Sequence, residues 1–186
     1  MNKPMEHMVT AALIATLAGC GGSGKTDGSS GGNAAGAAAA AEWDATDACS
    51  LLDKGVLGAA LKDTVTEASV GLVHEASGPE AATSDCTYIL AGGGRASLLS
   101  RNSPIADNSA EAIALARKTT QEAIAPFTDK KVEDVPGLGK AAFFVPGINQ
   151  MNVFLDDRRF VILTIGTAPN DTAKATAVDL IAKLKK

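Results

Sequence analysis

Residues 21–42 read GGSGKTDGSSGGNAAGAAAAAE, and this run limits every fold open to the chain. Glycine gives up more backbone freedom on ordering than any other residue, and Gly, Ser and Ala offer little apolar area to offset that loss. The segment therefore reads as a flexible coil of about 22 residues with an r.m.s. span of roughly 25 Å. Ala37–Ala41 adds at most one helical turn, and Lys25 reads as a solubilising charge. A packed core has to come from residues 43–186, which begin at Trp43.

One string at the head of this run satisfies a nucleotide-binding pattern. Residues 19–26, GCGGSGKT, fit G-x-x-x-x-G-K-[ST], in which Lys25 would reach phosphates and Thr26 a magnesium ion. That loop works between a buried strand and the first turn of a helix, where its N–H groups can curl around phosphate. Here DGSSGGNAAG follows, which cannot supply the helix. Nor does an apolar strand ending in a clear magnesium-binding Asp occur in the next fifty or so residues. No nucleotide partner is expected.

The same string closes a different pattern. MNKPMEH carries Lys3, and MVTAALIATL is an apolar stretch of signal-peptide length, shorter than the about 20 residues a retained span needs. Leu17-Ala18-Gly19-Cys20 resembles the bacterial lipobox. The resemblance implies a lipid on the Cys20 thiol, cleavage before Cys20 and acylation of the new amino terminus. Cleavage there would remove Gly19 and with it the nucleotide-binding string. Glu6 departs from the usual positive bias of such leaders, and Gly21 in place of Asp after the cysteine implies the outer membrane in a two-membrane cell. The chain thus divides into a signal peptide (1–19), a tether behind a lipidated cysteine (20–42) and a globular domain (43–186). About 167 residues follow the cleavage point, enough for one domain.

With Cys20 committed to lipid, two of the three cysteines remain. In an oxidising compartment Cys49 and Cys86 are most simply a disulfide, and closing a loop of about 37 residues stabilises a fold by roughly 4 kcal/mol on the chain-entropy model. The alternative is a metal site completed by His74, which lacks a fourth ligand at a familiar spacing. A net charge of −4 without a basic face makes nucleic acid an unexpected partner.

Periodicity supplies the elements. DACSLLDKGVLGAAL offers two caps, Asp47 and Asp53, and an apolar face interrupted by Gly55 and Gly58, so a short or broken helix is expected. TVTEASVGLVHE, SDCTYILAG and RASLLSRN have strand lengths and composition, the last two joined by a hairpin at Gly92–Arg95. NSAEAIALARKTTQEAI predicts a helix capped by Asn108 with Glu111 three residues on. Ile113, Ala116, Thr120, Ile124 and Phe127 share one of its sides, and Pro126 ends it. A second strand set follows in KVEDVPGLGKAAFFVP, NQMNVFLDD and RRFVILTIG, with a turn at Asp156-Asp157. The last helix is capped by Asn170, Asp171 or Thr172 and buries Ala173, Ala177, Leu180, Ile181 and Leu184. The expected architecture is α+β: a single domain with a largely antiparallel sheet and helices on one face, divisible into two similar α-β-β-β halves and a C-terminal helix.

CSLL at 49–52, CTY at 86–88 and GLGKAA at 137–142, behind a lipobox and a low-complexity tether, resemble a family of small exported bacterial lipoproteins with a domain of unknown function. The resemblance covers most of the mature chain. It implies a Cys49–Cys86 bridge and a compact α+β domain, and no activity. The glycines at 55 and 58 depart from the family's polar-rich first helix.

Candidate chemistry is sparse. His74 beside Glu75 reads as a surface residue, because no nucleophile–base signature accompanies it. Asp156-Asp157 with Arg158-Arg159 reads as a charged hairpin tip, and Glu133-Asp134 ahead of Pro136 as a turn. The loop PGLGK is a candidate ligand contact: Gly137 and Gly139 could let N–H groups approach an anion beside Lys140, or could simply permit a tight turn while Leu138 fills the core. No catalytic residues, metal or cofactor are assigned. The favoured function is a non-enzymatic, lipid-anchored envelope domain that binds an envelope protein, a glycan or a small ligand. An envelope assembly accessory and a hydrolase using His74 or the acidic turns are the alternatives.

Overall fold

The computed structural model describes residues 43–185. The expected signal peptide, the expected tether and the candidate lipidation residue Cys20 lie outside them. The domain is α+β, with a single antiparallel sheet of seven strands in the order β1-β2-β3-β7-β6-β5-β4. Its strands are β1 (Val65–His74), β2 (Ala82–Leu90), β3 (Arg95–Asn102), β4 (Glu133–Asp134), β5 (Ala141–Val145), β6 (Gln150–Phe154) and β7 (Arg159–Thr164). The helices are α1 (Ala48–Leu51), α2 (Lys54–Leu61), α3 (Ala110–Ile124) and α4 (Ala173–Ile181).

Both expected caps at the start are used. The Asp47 carboxylate accepts from Ser50 N, and that of Asp53 from Gly55 N and Val56 N, so two short helices replace one. Gly58 belongs to the packing: a Cβ there would stand 2.6 Å from the Asp63 carbonyl oxygen. Buried polar contacts fix this corner to the sheet. Ser84 and Ser100 both donate to Ala45 O at 2.8 Å, and the Tyr88 hydroxyl donates to Leu52 O at 2.9 Å. Cys49 and Cys86 stand at disulfide distance, S–S 1.95 Å, joining α1 to β2 across a separation of 37 residues.

The alternation of the strands separates two cores. Cys86, Tyr88, Leu98, Met151, Val153, Val161 and Leu163 face α1, α2 and α4 in the larger cluster. Phe143, Val145 and Phe154 face the other way, where Ile113, Ala116 and Ile124 of α3 cover them. Three helices therefore share one face as expected, and α3 is the departure from single-faced packing. Its apolar stripe is thin, and none of its residues is fully buried.

Each half of the chain is an antiparallel meander, and the last strands of the two halves, β3 and β7, pair at the centre of the sheet, Leu98 opposite Leu163. The expected hairpin between β2 and β3 is present, with Leu90 N donating to Gly94 O. The buried stripe of α4 is the expected one. At its end Lys185 N donates to Leu51 O, bringing the C-terminal turn back to α1.

Three local expectations need correction. Ser109, not Asn108, caps α3, its hydroxyl accepting from Ala112 N at 3.2 Å. Asn108 is buried and its amide donates instead to the carbonyls of Asp156 and Arg159. Phe127 does not join the buried side of α3 and is 88% exposed. The helix ends at Ile124, and Phe127 N and Thr128 N close its end by donating to Ile124 O. Finally, Glu133 and Asp134 are not a turn but a short edge strand paired with Phe144 and Phe143. At the opposite edge, β1 carries Val70, Leu72 and Val73 into solvent, with Leu72 at φ 47° where a bulge shifts the register.

Candidate functional site

The PGLGK loop lies between β4 and β5. Gly137 and Gly139 take φ +79° and +66°, the left-handed region that glycine reaches without steric cost. At Gly139 space is the tighter limit: a Cβ would meet Phe154 O at 2.6 Å. Lys140 N donates to that same carbonyl at 2.8 Å, so the loop lies flat on the end of β6. Leu138 is half-buried against the larger core. The Lys140 ammonium donates to Asn108 O at 2.6 Å and forms an ion pair with Asp157. An anion bound here would have to compete with Asp157 for the lysine.

Around Lys140 three connections are laced together. Asp156 accepts from Arg158 N and Arg159 N, and from the Arg159 guanidinium at 2.6 Å. Partial burial pushes the Asp156 carboxyl up, but these donors outweigh it and hold its pKa below the ordinary value. The Arg159 guanidinium also lies over the Trp43 ring, 5.3 Å from its centroid. Arg101 pairs with Asp107, whose carboxyl its hydrogen bonds hold below the ordinary value. Asp156-Asp157 is thus the expected charged turn, with both carboxylates engaged by cations.

His74 stands at the exposed end of β1, its Nε2 3.3 Å from Glu80. The metal alternative loses its thiolates, because the sulfurs of Cys49 and Cys86 are bonded to each other. Glu133 pairs with Lys174 at 2.9 Å and Asp134 with Arg117 at 2.6 Å.

The sequence reading missed a surface at the other end of β5 and β6. Pro146, Gly147 and Ile148 form the turn between these strands, with Gly147 at φ +93°. Asn149, buried at φ +51°, donates its amide to Ala168 O at 2.9 Å, and its own carbonyl accepts from Ile165 N. Pinned by Asn149, the turn projects Ile148, 47% exposed, toward Phe127 at the end of α3. Ile124, Phe127, Pro146 and Ile148 line an apolar groove of about 350 Å³ with Lys130 at its rim.

Next to it lies a polar cleft of about 490 Å³ that shares Lys130 and Pro146 with the groove. Lys131, Lys174 and Asn170 contribute to this cleft, together with Glu133 and Asp171. Three lysines against two carboxylates leave it one positive charge in excess, on a chain whose net charge is −4. Among the described residues the ion pairs include Lys174 but neither Lys130 nor Lys131. An apolar residue at the tip of a Gly-containing turn, Ile148, was the available signal in the sequence, since turn tips are normally polar. No family model, curated protein or solved structure matches the chain.

Proposed function

We propose that this chain is a lipid-anchored protein of the cell envelope whose domain binds a ligand or partner outside the cytoplasm and catalyses no reaction. The observation that carries the reading is a pairing of features. Leu17-Ala18-Gly19-Cys20 and its Gly/Ser/Ala tether precede a domain in which Cys49 and Cys86 stand at disulfide distance. Structural disulfides persist in oxidising compartments, which is where a chain processed before Cys20 would be delivered. The groove and cleft beside Pro146 give such a domain a place to bind.

The test is the non-reducing intact mass of the protein extracted from membranes of its native host. The expected species begins at Cys20, carries acyl groups and is two hydrogens lighter than its reduced form. A full-length chain with free thiols would overturn the reading and make nucleotide binding by GCGGSGKT the next assay.

A further inference from the structure

The groove and the cleft beside it differ in chemistry but form one continuous surface, joined at Lys130 and Pro146. Leaving Phe127 at 88% and Ile148 at 47% exposure keeps apolar area in water that contact with an apolar ligand would favourably bury. Ile148 is held in this position by the buried amide of Asn149 rather than by a loose turn. Immediately alongside, Lys130 and Lys131 present ammonium groups without carboxylate partners among the described residues. A ligand suited to both parts needs a flexible apolar portion and one anionic end.

We propose that this surface binds a single-chain anionic amphiphile, its acyl tail between Phe127, Pro146 and Ile148 and its carboxylate or phosphate head against Lys130 and Lys131. The groove, about 350 Å³, lies at the lower end of the size range of small-ligand sites. The head would take the positive excess of the cleft, while Lys174, already paired with Glu133, contributes less. The assignment deepens the proposed envelope-binding role by naming the ligand class. It does not depend on the anchor.

The experiment uses the chain from residue 20 onward carrying Cys20→Ser, which has neither the acyl group nor the apolar leader and needs no detergent. Calorimetric titration with decanoate and with decyl phosphate, below their micelle concentrations, should give one saturable site. Phe127→Asp should weaken both ligands by at least about tenfold, and Lys130→Glu with Lys131→Glu should do the same. All three positions are at the surface, and an unchanged thermal midpoint would show that the fold is intact. Acetate and inorganic phosphate should bind far more weakly, which separates a head-group site from a site for free anions. Uncharged decyl maltoside should bind far more weakly as well.

Several results would overturn the proposal: no saturable binding, binding untouched by both variants, or equal binding of the short anions or of the uncharged amphiphile. Adsorption to anionic phospholipid vesicles without decanoate binding would also overturn it and assign the surface to a bilayer. If decanoate binds as expected but the native protein lacks an acylated Cys20, the site stands and only the envelope location fails.

Discussion

Gly139 and Gly137 carry the same type of backbone conformation and should respond differently to substitution. Alanine at 137 meets only the left-handed penalty of about 1–2 kcal/mol, because nothing lies within 4 Å of its Cβ. Alanine at 139 adds contacts of 2.6 Å with Phe154 O and 3.1 Å with Leu155 Cα, both backbone atoms that cannot swing away. Gly139→Ala is therefore expected to lower stability by about 3 kcal/mol or more and Gly137→Ala by about half that, read from urea unfolding. Equal losses would show that the β6 backbone relaxes freely. The contrast also separates two uses of glycine that the sequence string PGLGK could not distinguish.

At the scale of elements, α3 offers a decisive pair. Ser109→Ala removes a hydroxyl that accepts from Ala112 N and should cost about 1 kcal/mol, an ordinary N-cap loss. Asn108→Ala leaves the cap in place but strips donors from the carbonyls of Asp156 and Arg159, both beside the ion-paired turn, and should cost more, about 2–3 kcal/mol. If thermal unfolding ranks them the other way, the bonds from Asn108 to the turn after β6 contribute less than the Ser109 cap. Element identity was largely readable because periods of two and of 3.6 residues are set by the backbone, as in RASLLSRN and in the α4 stripe. What could not be read were choices that depend on partners distant in the chain. Asn108 and Ser109 are equally good caps in isolation, and a carbonyl some fifty residues away decides between them. The position of α3 on the second face had no local signal. For the candidate site, PGLGK drew notice by its glycines, while the groove needed Phe127 and Ile148 brought together by tertiary structure.

For the whole molecule, the dependence of stability on pH follows from a few groups. Asp107 and Asp156 have folded pKa values below their unfolded ones. Their contribution is present above the unfolded carboxylate value of about 3.9 and is lost as pH falls through the folded values. Tyr88 behaves oppositely: burial first, then the nearby Asp47 and Asp53 carboxylates, push its phenol upward. Its contribution is complete below about pH 10 and is lost as pH rises beyond that, since the unfolded chain ionises first. Denaturation midpoints across pH should fall at both ends. Asp107→Asn should flatten only the acid limb, and Tyr88→Phe only the alkaline one, after about 1–2 kcal/mol is lost at all pH values with the hydrogen bond to Leu52. An alkaline limb unchanged in Tyr88→Phe would assign it to other groups.

The meeting of β3 and β7 at the middle of the sheet also has a consequence in time. A chain that emerges amino terminus first can form the β1–β2–β3 meander early, but the partner that covers the open side of β3 ends at Thr164. Until nearly the whole sequence is available, the central strand is an unprotected edge and the main core lacks Leu163 and all of α4. Such non-local closure is slow compared with helix or hairpin formation. While it is still incomplete, the chain cannot lock into its final shape, and the fold delays its own completion until the last strand arrives.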